Sequence, residues 1–229
     1  VWGVRASSRA TTVMVLIKLL VLSLFVLVGI RFVQPENWQP FAPNGFRGIA
    51  AGAAIVFFAY IGFDAVSTCA EETRRPGRDL PIGILGSLAA STLIYVVVAV
   101  VFTGLVPFPA LQQMTASDQA EPLTAALQYV GRSDLTVGLV AFGSVVAHTA
   151  VLLVFQLGQA RIFMAMARDG LLPASLARVH PRFRTPHVAT ILTGIGVGIL
   201  AAVSNIDEMV DLTNIGTLFA FLLVCVGVS

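Results

Sequence analysis

Apolar residues do not alternate along this chain; they come in long blocks separated by short polar segments. Six blocks stand out, at about Thr12–Val33, Ile49–Ala70, Ile82–Val106, Thr136–Met164, Val188–Val203 and Val210–Val228. Roughly 20 residues at about 1.5 Å each cross the hydrocarbon of a bilayer, so blocks of this length predict spanning helices. A barrel would show ten-residue segments of alternating character instead. The fourth block is too long for a simple crossing and is expected to bend or continue into the cytoplasm. The fifth is short at its apolar core. The predicted class is all-α: a polytopic integral membrane protein, one transmembrane domain over residues 1–229 with about six spans. Composition agrees, with 57% of the 229 residues hydrophobic and 11% charged, where a soluble domain carries about 25%. Position 1 is not Met and an apolar run reaches the last residues, so the chain reads as a piece of a longer protein.

The second block is the least uniform. It holds Phe58-Ala59-Tyr60-Ile61-Gly62-Phe63 and then Asp64, with Gly48 and Gly52 upstream. A carboxylate at that depth costs about 2.5–3.5 kcal/mol on insertion scales, so Asp64 should face protein or water. Glycine together with an intramembrane charge predicts a discontinuous helix, the device that builds the central sites of secondary transporters. The expectation is that i→i−4 hydrogen bonding fails somewhere in Ala59–Gly62. Phe57, Phe58, Tyr60 and Phe63 read either as packing or, because they overlap the break, as rings that close over a bound ammonium group.

Charge sets the orientation. Arg5 and Arg9, then Arg74, Arg75 and Arg78, then Arg161, Arg168, Arg178, Arg182 and Arg184 fall on one side of a six-span chain, ten of the fourteen basic residues. The opposite loops hold Arg31, Arg47 and Arg132 against seven acids. The positive-inside rule places the first set in the cytoplasm. The excess follows the alternation of the spans, so topogenic arginine explains it better than a nucleic-acid or anionic-lipid site. Cys69 and Cys225 read as small buried hydrophobes.

Three further residues invite chemistry. Lys18 reads either as a helix-end lysine snorkelling to the headgroups or as an amine inside the bundle, where desolvation disfavours its charged form and lets it trade a proton. His148 reads as a hydrogen-bonded packing residue or as a member of a proton relay with Lys18. Ser144 and His148 stand at helical spacing, yet without an orienting acid or a nucleophile elbow the pair is weak support for an intramembrane serine hydrolase. His180 and His187 share a cytoplasmic loop, and no metal-binding constellation is read from the sequence.

The chain resembles a known family at four separated places. Phe57 to Asp64, with Glu71-Glu72 and Pro76-Gly77-Arg78-Asp79-Leu80-Pro81, is similar to the sixth helix and following loop of the amino acid–polyamine–organocation superfamily. Gly158-Gln159-Ala160-Arg161 and Met166-Ala167-Arg168-Asp169-Gly170 are similar to the end of its eighth helix. His180-Pro181-Arg182-Phe183 and Asn214-Ile215-Gly216-Thr217 complete the match, in the cationic amino acid transporter branch and its bacterial relatives. The resemblance implies a LeuT-like fold of two inverted five-helix repeats, with these spans as helices five to ten. It implies secondary amino acid transport by alternating access, coupled to protons, in a bacterial plasma membrane, with no enzyme activity. It also implies amino acid, protons and the bilayer as partners, and no cofactor, metal or nucleic acid. Lys18 matches the fifth-helix lysine that stands in place of sodium, so proton coupling is expected at Lys18 with His148 and Thr149. Phe58, Ala59 and Ile61 match the unwound segment that meets the amino group, with Tyr60 and Gly62 beside them, and Phe58 matches the aromatic gate. Phe155 matches a pocket position; its bulk argues against a long cationic substrate, and His148 departs from an apolar residue. A non-transporting sensor or subunit of the same fold is the alternative.

Overall fold

The computed structural model of the chain describes residues 4–63, 73, 75–114, 121–181 and 185–228. Among them every regular element is helical: α1 (Val4–Gly29), α2 (Gly45–Val56), α3 (Pro76–Leu105), α4 (Phe108–Leu111), α5 (Pro122–Tyr129), α6 (Leu135–Arg168), α7 (His187–Val203) and α8 (Ile206–Val228). Among the described residues, four helical stretches are long and apolar enough to cross a membrane: Arg9–Phe32, Pro76–Leu105, Leu135–Arg168 and Glu208–Gly227. Gly45–Tyr60 and His187–Val203 are shorter. The long fourth block is a single helix of 34 residues. α3 starts before its apolar block because Pro76 opens the helix, where its missing N–H leaves no bond unmade, and Asp79 lies in the first turn. Arg75 O then accepts from both Arg78 N and Asp79 N.

The chain divides into two compact units. The first comprises Val1–Phe41, Ala89–Phe155 and Pro181–Thr185. Its core gathers Phe25 of α1, Val101 and Leu105 of α3, Leu127 of α5, and Val137 and Val140 of α6, all buried. Residues 19–27 of α1 line an apolar groove with 93–98 of α3, Gly29 abuts Val101, and Val33 abuts Gly104. Numbers rise together, so α1 and the end of α3 run parallel. Against α6 they run opposite: the Arg132 guanidinium lies 5.9 Å from the Phe32 ring centroid, while Val21 meets Gly143. First and third spans parallel and fourth antiparallel is the order that an alternating topology requires. Past α1 the chain folds over the end of α3, where Gly104 O accepts from Gln34 N at 3.0 Å and from Asn37 Nδ2 at 2.7 Å.

The second unit comprises Ala42–Leu88, Gln156–His180 and Pro186–Ser229. Ala160 of α6 and Ala189 of α7 are fully buried and small, which lets these helices approach closely. Gln156 Nε2 joins them by donating to Thr190 O and to Thr193 Oγ1, both at 2.6 Å. α8 packs on α2 and on the segment that follows it.

Candidate functional site

α2 keeps α-helical pitch only to Val56. Phe57–Tyr60 tighten into a 3-10 turn, Ile61 N takes Phe58 O at 3.2 Å, and Ile61 turns extended at ψ 128°. Gly62 follows at φ 118°, a conformation that side-chain-bearing residues rarely adopt. The i→i−4 pattern therefore fails within the stretch the glycine and aromatic pattern marked. The end of α2 also carries the negative pole of its helix dipole, about half an elementary charge, so the break favours a cationic group.

The second unit holds five of the expected site residues on this break. Phe58 is 43% exposed; Ala59 is exposed, and Tyr60, Ile61 and Gly62 are half-buried. The neighbouring rings behave differently from Phe58: Phe57 meets Phe221 of α8 edge-on at 6.5 Å between centroids, and Phe63 meets the same ring at 5.8 Å. Asp64 lies outside the described residues, as do Cys69, Glu71, Glu72 and Arg182–184.

The first unit holds Phe155, Lys18, His148 and Thr149. Phe155, on α6, is 47% exposed. Lys18 is half-buried and shares a helical stripe with Met14, Val21 and Phe25, the last fully buried. The Val21–Gly143 contact sets the register with α6. Three residues back from Val21 and three on from Gly143 put Lys18 level with Val146, and His148 lies about 3 Å further on. α6 packs through Val140, Gly143 and Ala150, whereas His148 and Thr149 are exposed on other faces of that helix. Among the described residues Lys18 meets no hydrogen-bond or ion-pair partner. The His148 ring is held locally, Nδ1 donating to Ser144 O at 2.8 Å, which leaves Nε2 as acceptor; Thr149 Oγ1 donates to Val145 O at 2.9 Å. With Nδ1 so engaged and 3.5 Å from Ser144 Oγ, the ring is not set to take the serine proton.

Sequence reasoning gave no site role to Gln156, Asn214 or Phe221. Asn214 Nδ2 donates to Ala54 O at 3.4 Å, one turn before the break, and among the described residues Asn214 Oδ1 is buried without a partner. The available signal was an uncharged polar residue in the middle of an apolar helix. Among the described residues, no group of three or more His, Cys, Asp or Glu could hold a metal ion.

A family model described as Amino acid permease matches residues 1–228. Over 226 residues the chain is 46% identical to the branched-chain amino acid permease BcaP of Bacillus subtilis (strain 168), covering 99% of this chain and 47% of the relative. It is 42% identical over 226 residues to the methylthioribose transporter of the same organism, covering 99% and 48%. It is 40% identical over 219 residues to cationic amino acid transporter 9, chloroplastic, of Arabidopsis thaliana, covering 96% and 37%. The chain thus spans about half the length, or less, of these relatives.

Proposed function

Because the chain belongs to the amino acid permease family, we propose that it forms part of a secondary active transporter of amino acids in a bacterial plasma membrane, working by alternating access and driven by protons. The observation that carries this reading is the loss of α pitch at Phe57–Gly62, at the end of an apolar helix, in a chain whose residues 1–228 match the family. At that break the end of α2 offers its negative pole to the substrate ammonium, backbone carbonyls leave the α ladder, and exposed Phe58 can close over the ligand. Phe155 is assigned as the specificity residue on its match to a family pocket position, and the bulk of its side chain argues against a long cationic substrate. The relative named for branched-chain amino acids supports that substrate class. Lys18 carries the coupling proton, with His148 and Thr149 at its depth.

The family and the local bond of His148 both oppose the hydrolase reading. The sensor reading is decided by reconstituting the full-length protein in liposomes and measuring uptake of labelled amino acids under an inward proton gradient. Saturable uptake of branched-chain amino acids that stops when the gradient is collapsed is expected. Binding without uptake would make the protein a sensor.

A further inference from the structure

Asn214 and Phe221 stand seven residues apart on α8, two turns along one face of the helix. Both reach the break in α2, from opposite ends. Asn214 Nδ2 holds Ala54 O, the carbonyl one turn before the pitch changes. Phe221 lies against Phe57, the first residue of the 3-10 turn, and against Phe63, just past Gly62. The ring therefore bridges the two sides of the turn. Phe58, between those contacts, is exposed. A backbone that leaves α pitch exposes carbonyls, and inside a membrane these must be met by other groups. A side-chain amide on a neighbouring helix is a group of that kind.

We infer that Asn214 and Phe221 are positioning residues that hold the α2 break in its binding shape, leaving Phe58 as the ring free to move. The inference rests on the reading that the break binds substrate. Nothing in the pair needs to touch the ligand; both act through the backbone of residues 54–63.

The test uses the full-length transporter in proteoliposomes, reading KM and maximal rate for a branched-chain amino acid together with melting of the purified protein. Asn214→Leu keeps the size without a charge and removes the donor, and should raise KM at least tenfold with little change in melting temperature. Asn214→Ser keeps a donor on a shorter arm and should recover part of the affinity. Phe221→Leu keeps apolar volume, should raise KM as well, and decides the matter if Asn214→Leu does not fold. Thr213→Val, whose hydroxyl donates within its own helix to Met209 O, should leave KM unchanged. If wild-type protein transports and the folded variants keep its KM, the positioning role is overturned and the transport function stands. If wild-type protein takes up no amino acid, the functional reading falls, and this inference with it.

Discussion

Gly143→Ala is the substitution whose cost can be worked from distances. A Cβ at position 143 would stand 2.5 Å from both γ carbons of Val21 and 2.7 Å from its β carbon. Carbon atoms in good contact sit about 3.5–4.0 Å apart, so α1 and α6 must separate by about 1 Å. Val21 cannot turn aside: a β-branched side chain in a helix has one strongly preferred χ1, and its own Cβ is among the close atoms. Overpacking of this kind costs about 1–3 kcal/mol, which lowers the melting temperature. Purified full-length protein in detergent, followed by thermal melting, measures it. Gly138→Ala is the control, because a Cβ there meets nothing within 4 Å; losing a helical glycine should be neutral or stabilising.

The decisive arm is the double variant. Val21→Ala removes the two closest atoms and leaves its Cβ 2.7 Å from the new one, so Gly143→Ala in that background should cost less than alone, by about 0.5–1 kcal/mol, without being free of cost. Lys18 lies one turn from Val21 on the same stripe, so pH-driven uptake should fall in Gly143→Ala and recover in part in the double variant. Strictly additive melting shifts, or a Gly143→Ala protein as stable as wild type, would refute the close packing of α1 on α6.

The remaining expectations concern the break, the pocket and the coupling amine. Phe155→Ser should admit longer or cationic amino acids while small neutral ones are still carried, a shift of about 1–3 kcal/mol in relative kcat/KM read by competition across the amino acids; an unchanged profile would remove Phe155 from the pocket. Gly62→Ala forces a Cβ onto a backbone at φ 118°, costs on the order of 1–3 kcal/mol, and should raise KM; normal KM and melting would show that the turn tolerates a side chain. Gln156→Leu removes both bonds to α7 and should cost about 0.6–2 kcal/mol in thermal melting; a melting temperature equal to wild type would show that the link adds no stability. Lys18→Met should fold normally and lose uptake that depends on the pH gradient; transport with unaltered pH dependence would place coupling elsewhere.

The helical blocks and the break were legible because both are local signals. Apolar length predicts a spanning helix, and Gly62 beside a cluster of aromatics marks where α pitch cannot continue. The start of α3 was missed by six residues, since hydropathy sees the apolar core of a span and not the polar turn that Pro76 and Asp79 begin. Pairings between distant residues carried no such signal. Asn214 meets Ala54 across 160 positions and Gln156 meets Thr193 across 37, and no periodicity in one helix says which neighbour its polar residue will find. His148 is the opposite case: its partner, Ser144 O, was four residues away, and the spacing first noticed as a nucleophile and base is a side chain bonding to its own helix.

Depth is what separates the two roles open to Lys18. The span that contains it runs Arg9–Phe32, about 36 Å at helical rise, against a hydrocarbon of about 30 Å. Lys18 is nine residues past Arg9, about 14 Å along the axis, so with the span centred it sits roughly 10 Å inside the apolar edge. A four-carbon stem reaches about 6 Å and falls short of the headgroups even when fully extended. Snorkelling would also turn the side chain off the stripe it shares with Val21 and Phe25, toward lipid. Arg9, at the start of the apolar stretch, is the residue the positive-inside rule assigns to the interface, where a topogenic charge is inexpensive. An amine kept at this depth is costly while charged, and a carrier can use that cost. That depth, on a stripe with half-buried Val21 and buried Phe25, supports the proposal that Lys18 is the coupling residue.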